Sequence, residues 1–127
     1  MRVLIVEDDP LAAIHLAEMV SDFGHQACGT AATVREAVEQ ADASRPDVAL
    51  MDLRLARGDN GIEAARLLQQ RHGLRCIFVS GHLDDAAVSA MLPLEPIDFV
   101  LKPVIPVYLQ RALEKAETIL ATRSAPH

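Results

Sequence analysis

Short apolar runs alternate with longer amphipathic segments five times along the chain. The apolar runs predict strands at residues 3–6, 26–30, 48–51, 75–79 and 97–101. The segments that follow them predict helices at residues 10–23, 33–44, 62–72, 84–92 and 106–121. Alternation of this kind is typical of a parallel sheet with helices on both faces. With right-handed crossovers, we predict an α/β fold of the flavodoxin-like, doubly wound (βα)5 type, a five-stranded parallel sheet of order 2-1-3-4-5.

Several predicted helices begin or end at residues with a capping function. Asp9 is placed to cap the first helix, and Pro10 suits its first turn. Thr33 and Glu36 have the spacing of a capping box at the start of the second helix. Gly73 suits the position after the third helix, because glycine readily adopts the left-handed conformation found there. These residues support the predicted helix boundaries.

The fourth predicted helix is the least regular, because Pro93 and Pro96 cut it short. Most of its positions are apolar, including Ala86, Val88 and Met91. Two explanations are open at this point. The segment forms either a mobile or partner-covered surface, or a short helix that packs compactly into the core.

A chain of 127 residues is short enough for one domain and long enough to bury a core without disulfides. We therefore predict one domain at residues 1–121 and a short flexible tail at residues 122–127. Cys28 and Cys76 each lie within an apolar stretch. This setting predicts two buried free thiols and argues against a disulfide.

Charge and composition limit the classes of partner. Lysine and arginine number 12 against 18 acidic residues, which gives a net charge of −6, and aromatic residues make up only 3%. Both values argue against direct binding of nucleic acid. No apolar run reaches the length of a membrane span, and acids follow the first strand too closely for a signal peptide. We therefore expect a soluble cytoplasmic protein that does not bind membranes.

Polar residues follow the central predicted strands, whose carboxyl ends meet at one edge of the sheet. Glu7 and Asp8 follow the first strand, Asp52 the third, Ser80 the fourth and Lys102 the fifth. Three close carboxylates need a cation, and oxygen ligands without histidine or cysteine favour Mg²⁺ over Zn²⁺. A nearby lysine suits phosphoryl oxygens, and a carboxylate in this setting is a plausible nucleophile for phosphoryl transfer. The pattern indicates an aspartyl-phosphate site.

Four motifs occur in this order along the chain: Glu7-Asp8-Asp9, Asp52, Ser80 and Lys102-Pro103. Together, over the chain to about Leu120, they resemble the receiver domain of bacterial two-component response regulators. The resemblance implies that Asp52 accepts a phosphoryl group from a sensor histidine kinase or a histidine phosphotransfer protein. It also implies that the protein is not an enzyme, although it assists its own phosphorylation and slow dephosphorylation.

The resemblance assigns further roles around the acceptor. Mg²⁺ is expected to bind Glu7, Asp8, Asp52 and the backbone carbonyl of Arg54. Lys102 is expected to pair with the phosphoryl oxygens. These roles agree with the chemistry that the residue types suggest on their own.

A second set of residues is expected to respond to phosphorylation. Ser80 would donate its hydroxyl to the phosphoryl group, and Phe99 occupies the family's aromatic switch position. The alternatives are that Ser80 caps the following helix and that Phe99 is an ordinary core aromatic. The peptide bond before Pro103 is usually cis in the family. Phosphorylation would reshape the surface of helix 4, strand 5 and helix 5 for a downstream protein, with homodimerisation or phosphate relay as open alternatives.

The sequence departs from the family in two loops. The loop at residues 53–61 is one residue longer than is common, as the late position of Gly61 indicates. Gly81 stands where the family usually has alanine, and it frees the backbone there. The stretch from Phe78 to Gly81 resembles the signature of a single-domain subgroup of response regulators.

Two side chains are candidates for control of the phosphoryl lifetime. Arg54 and His82 lie two residues beyond Asp52 and Ser80. In the family, side chains at these positions border the phosphoryl group and control the attacking water. We hypothesise that both reach the phosphoryl group.

Three alternatives to a phosphoacceptor are open. A flavodoxin-type electron carrier shares the strand order but needs a phosphate loop rich in Ser, Thr and Gly where this chain has acids. An aspartyl-phosphate phosphatase shares the chemistry, but its nucleophile usually follows the first strand and a cap covers its substrate. A pseudo-receiver that only binds partners shares the fold, although every residue type that phosphorylation requires is present.

Overall fold

The computed structural model describes residues 1–124 and confirms the predicted fold. Five parallel strands form one sheet in the order β2-β1-β3-β4-β5. The strands are β1 (Arg2–Val6), β2 (Gln26–Ala31), β3 (Val48–Asp52), β4 (Cys76–Ser80) and β5 (Asp98–Leu101). Each observed boundary lies within one residue of its predicted position.

Five α-helices connect or follow the strands: α1 (Pro10–Asp22), α2 (Val34–Ser44), α3 (Gly61–His72), α4 (Asp85–Met91) and α5 (Pro106–Ser124). Single 3-10 turns occur at Ala56–Gly58 and Leu92–Leu94. Within residues 1–124, no helix combines the length and apolar character needed to cross a bilayer.

The last helix overlaps the start of the predicted tail. Helix α5 continues to Ser124, and the hydroxyl of Thr122 donates to the carbonyl of Thr118 at 2.9 Å within its last turns. Residues 122–124 are therefore helical, and the flexibility of the tail stays a prediction. The rest of the predicted tail, residues 125–127, lies outside the described residues.

Asp9 and Thr33 cap their helices as predicted, whereas Glu36 does not complete the predicted capping box. The carboxylate of Asp9 accepts from the amide of Leu11 at 3.0 Å. Thr33 Oγ1 accepts from the amide of Glu36 at 3.1 Å, which fixes the start of α2. The carboxylate of Glu36 accepts from the amide of Ala32, one residue before the position expected for a capping box.

Two hydrophobic cores lie on opposite faces of the sheet. Leu4 and Met51 belong to the core beneath α2 and α3, whereas Ile5 and Leu50 belong to the core beneath α1 and α5. Successive strand residues point to opposite faces, so adjacent residues of one strand serve different cores. All five residues of β3 and of β4 are buried. The polar residues of these two strands, Asp52 and Ser80, stand at the carboxyl ends.

Helix α4 is short and only partly buried. Met91 is the one buried residue among the seven of this helix. Ala86 and Ala90 are exposed, and Leu92, which follows the helix, is 58% exposed. The alternative of a compactly buried helix is therefore wrong. Coverage of the segment by a partner stays a prediction.

The two cysteines are free thiols in different settings. Cys76 is fully buried in β4, and burial raises the pKa of its thiol to about 12. Cys28 is only half-buried, because it lies in β2 at the edge of the sheet. The expectation of a buried thiol is thus confirmed for Cys76 and is wrong in degree for Cys28.

Candidate functional site

The register of the strands brings the predicted site residues to one edge of the sheet. The last residue of β1 pairs with the residue before Asp52, so Glu7 and Asp52 lie side by side. The last residues of β4 and β5 also pair, which places Ser80 and Lys102 at the same edge. Four elements distant in sequence therefore contribute to one site.

Three carboxylates form a cluster at this edge. One oxygen from each of Glu7, Asp8 and Asp52 lies within 4.8 Å of the others. Glu7 and Asp52 are 4% and 8% exposed, whereas Asp8 is exposed. Burial raises the pKa of Glu7 from 4.5 to about 7; Asp52 adds to the increase, while Lys102 and the amide of Asp9 oppose it. Burial therefore favours the neutral form of Glu7 more strongly than Lys102 favours its charged form.

Lys102 is the cation that faces this cluster. Its Nζ donates to Oδ2 of Asp52 at 2.8 Å and also to Oε1 of Glu7. Burial by itself lowers the pKa of Lys102, but hydrogen bonds to the two carboxylates outweigh it and raise the pKa above 10.5. The ammonium group is therefore charged at neutral pH and touches the predicted acceptor.

The donor set of the cluster fits a small hard cation. All three side chains offer carboxylate oxygens, which are the ligands that Mg²⁺ prefers. The hydrogen bond from Lys102 lowers the pKa of Glu7 but does not offset the effect of burial, so the pKa stays raised. The amide of Arg54 donates to Oδ1 of Asp52 at 3.2 Å, which keeps the backbone of Arg54 beside the acids.

An open cleft of about 640 Å³ lies over Asp52. Ser80 and Lys102 line this cleft, and Arg54 and His82 line it as well. All four side chains therefore lie where they can contact a group on Asp52, as the resemblance implied. The cleft therefore leaves the buried carboxylate of Asp52 accessible from outside.

Ser80 is not the cap of α4. Its hydroxyl donates to the carbonyl of His82 at 3.1 Å and accepts from the amide of His82 at 3.2 Å. Asp84 provides the cap, since its carboxylate accepts from the amide of Ala87 at 2.8 Å. His82 Nε2 lies 3.3 Å from Oδ2 of Asp84, and the histidine side chain is 74% exposed.

Phe99 lies between the core and the surface. Its ring stacks on Phe78, with centroids 6.1 Å apart and planes at 20°. It also borders a second groove, of about 540 Å³, together with Leu101 and Tyr108. Phe99 is therefore a half-buried aromatic residue, and its role as a switch stays a prediction. The peptide bond between Lys102 and Pro103 is cis, as the resemblance implied.

The loop after Asp52 is more compact than its polar sequence suggests. Leu55 is buried, and an antiparallel bridge pairs Arg54 with Asn60. A Cβ at Gly61 would lie 1.8 Å from the carbonyl oxygen of Asp52. Gly61 is therefore required by the close approach of two backbone segments directly beneath the site.

Sequence reasoning missed Asp59. Its Oδ2 accepts from the amide of Val34 at 2.9 Å, and its carbonyl accepts from the amide of Leu55 at 3.0 Å. Val34 lies 25 positions earlier, so no local spacing reveals the contact. The extra length of the loop was the one sign that this segment departs from the usual arrangement.

The fold and the site define a receiver-type α/β domain, with a charged cluster at the carboxyl ends of its parallel strands. The family model described as the response regulator receiver domain matches residues 3–114. The chain therefore belongs to this family. Membership sets aside the flavodoxin-type carrier and the aspartyl-phosphate phosphatase.

Relatives with this fold come from several bacteria. The chain is 33% identical over 116 residues to the phyllosphere-induced regulator PhyR of Methylorubrum extorquens, covering 91% of this chain and 43% of that protein. It is 34% identical to the signal receiver domain of a modulated diguanylate cyclase from Desulfovibrio desulfuricans G20, with a TM-score of 0.82 and 91% of each chain covered. It is 30% identical to the anti-anti-sigma factor PhyR of Bartonella quintana, with a TM-score of 0.81; the match covers 97% of this chain and 49% of that one. The chain thus spans less than half the length of these two PhyR proteins.

Proposed function

We propose that this receiver domain accepts a phosphoryl group on Asp52 from the phosphohistidine of a sensor histidine kinase or a histidine phosphotransfer protein. One observation carries the proposal: the buried carboxylate of Asp52 faces an open cleft and accepts from Lys102 Nζ at 2.8 Å. Two further acids lie within 4.8 Å. This complete set favours a phosphoacceptor over a pseudo-receiver, which needs neither the cleft nor the third acid.

Mg²⁺ is the cofactor that we propose for the acidic cluster. Glu7, Asp8, Asp52 and the backbone carbonyl of Arg54 would hold it. When bound, the ion neutralises negative charge on the acids and on the transferring phosphoryl group. The grouping of three carboxylate oxygens within 4.8 Å of one another supports this proposal, because like charges this close repel unless a cation neutralises them.

Transfer requires attack of an Asp52 carboxylate oxygen on phosphorus. The new O–P bond forms as the P–N bond to the donor histidine breaks, and the electron pair of that bond stays on the imidazole nitrogen. Lys102 supplies positive charge where the phosphoryl oxygens arrive, because its ammonium already touches Asp52. The domain provides the acceptor and a preorganised electrostatic environment. We therefore propose a phosphoacceptor that assists its own modification, and not an enzyme that turns over a substrate.

Ser80 is proposed to transmit the modification. Among residues 1–124, its hydroxyl bonds to the backbone of His82 alone, and it lines the same cleft as Asp52. Donation to a phosphoryl oxygen would break the bond to the His82 carbonyl and move the loop that precedes α4. Phe99 is proposed to follow this movement, since it is half-buried beside β4.

The output is proposed to be a changed α4–β5–α5 surface that binds a downstream protein. Three residues of this surface are more than half exposed: Leu92 directly after α4 (58%), Leu101 in β5 (58%) and Tyr108 in α5 (53%). One relative is described as an anti-anti-sigma factor, so control of a regulatory protein by binding is a precedent in the family. Homodimerisation through the same surface is the alternative output. A cytoplasmic location belongs to the proposal, and the free thiols agree with it.

Arg54 and His82 are proposed to set the lifetime of the phosphoryl group. Both line the cleft and both are exposed, so their side chains can reach a group on Asp52. The decay of phosphorylated Arg54→Ala and His82→Ala proteins, compared with that of the wild type, tests this role. Decay rates equal to the wild-type rate in both variants contradict it.

The phosphoacceptor role is tested with Mg²⁺ and acetyl phosphate. Intact-mass spectrometry should show one added phosphoryl group on the wild type and none on Asp52→Asn. Asp9→Asn is the matched control, because it removes a neighbouring acid outside the cluster while asparagine still caps α1. It should be modified like the wild type. Equal modification of Asp52→Asn would refute the proposal.

A further inference from the structure

Two hydrogen bonds tie the loop after Asp52 to the first residue of α2 and to the segment before it. Oδ2 of Asp59 accepts from the amide of Val34 at 2.9 Å. The amide of Ala56 donates to the carbonyl of Ala32 at 2.9 Å. The first of these bonds depends on a side chain, whereas the second joins backbone groups that any residue offers.

Asp59 also holds the loop together from within. Its amide donates to the carbonyl of Ala56 at 3.1 Å, and its carbonyl accepts from the amide of Leu55 at 3.0 Å. The next residue, Asn60, pairs with Arg54 in an antiparallel bridge. A displacement of Asp59 is therefore passed directly to Arg54, whose amide contacts Asp52.

Capping of α2 does not account for Asp59, because the helix has a cap of its own. Thr33 Oγ1 accepts from the amide of Glu36 at 3.1 Å, the usual N-cap contact. Asp59 instead reaches the helix from another loop, 25 positions away. Among the side-chain hydrogen bonds of residues 1–124, this is the one that joins the loop after Asp52 to α2.

We propose that Asp59 is a positioning residue for the metal and phosphoryl site. Its carboxylate anchors the loop on α2 and so keeps the backbone of Arg54 beside Asp52. The inference rests on the proposed function, in which the carbonyl of Arg54 is a ligand of Mg²⁺. Without this anchor, part of the free energy of Mg²⁺ binding is used to order the loop, so the affinity for Mg²⁺ falls.

Removal of the hydrogen bond from either side tests the proposal. Asp59→Ala deletes the acceptor. Val34→Pro deletes the donor, and proline is well tolerated at the first position of a helix when the preceding residue is extended, as Thr33 is. Each variant should weaken Mg²⁺ binding about five- to tenfold, as measured by titration of the full chain and monitored by backbone amide resonances. Amides of residues 54–60 should also exchange faster with solvent.

Controls separate positioning from general stability. The double variant should bind Mg²⁺ no more weakly than either single variant, because both remove the same bond. Thr33→Ala removes the ordinary cap of α2 and should leave the Mg²⁺ affinity unchanged, although it destabilises the helix. Asp59→Asn retains an oxygen that can accept from the amide of Val34, so this variant should keep most of the wild-type Mg²⁺ affinity.

The outcomes that overturn the proposal are distinct. Wild-type affinity in both Asp59→Ala and Val34→Pro overturns it, and so does an equal loss of affinity in Thr33→Ala, which would reveal a role in helix stability alone. Additive losses in the double variant also overturn it. Failure of the proposed function is distinguishable from failure of this inference. If the wild type neither binds Mg²⁺ nor accepts a phosphoryl group, the proposed function is wrong, and the wild type alone shows this without any variant.

Discussion

Glu7 should make the metal-free protein less stable as the pH rises from 4.5 to 7. The pKa of its carboxyl group is raised from 4.5 to about 7, chiefly by burial. The folded protein therefore binds this proton more tightly than the unfolded chain does. The resulting stability is fully present below pH 4.5 and is lost as the pH rises through 7. With about 1.4 kcal/mol per pKa unit, the loss is about 3 kcal/mol.

Glu7→Gln removes this titration while keeping the size of the side chain. The amide oxygen of glutamine can still accept from the amide of Asp9, as Oε2 of Glu7 does at 3.2 Å. Lys102 stays charged across this range, because its pKa is raised above 10.5. The free energy of unfolding of the wild type should therefore fall, relative to that of Glu7→Gln, by about 3 kcal/mol between pH 4.5 and pH 8.

The assay is urea unfolding of both proteins with a chelator present, monitored by far-UV circular dichroism. Other titrating groups are common to both proteins, so they cancel in the difference. Glu18→Gln is the control, because Glu18 is exposed on α1, away from the cluster. A difference between the wild type and Glu7→Gln that does not change with pH would refute the reasoning.

Two further predictions concern packing near the site. Gly61→Ala should lower the free energy of unfolding by about 1–3 kcal/mol, because its Cβ would lie 1.8 Å from the carbonyl oxygen of Asp52. Denaturant unfolding measures this, and Gly81→Ala, whose Cβ meets nothing within 4 Å, should cost far less. Met91→Ala should cost about 2–5 kcal/mol and speed amide hydrogen exchange in α4, since Met91 is the buried anchor of that helix. Leu92→Ala, at a 58% exposed position, should change the stability by less than about 0.5 kcal/mol.

The sequence alone determined the fold and the members of the charged cluster. Each strand is a short apolar run bounded by polar or turn residues, so local pattern placed every strand within one residue. In a parallel sheet the carboxyl ends of the strands meet at one edge. Glu7, Asp52 and Lys102 could therefore be grouped before any distance was known. Even the capping of α1 by Asp9 followed from local spacing.

Only the tertiary structure decided how that site is supported. The contact of Asp59 with Val34 spans 25 positions, and that of Lys102 with Glu7 spans 95, so neither follows from spacing along the chain. The burial of Leu55 and the exposure of Leu92 also depend on which elements pack against them. The pattern of apolar residues identifies which elements form. Which side chains touch, and how strongly burial alters their pKa values, depends on the packing of elements distant in sequence.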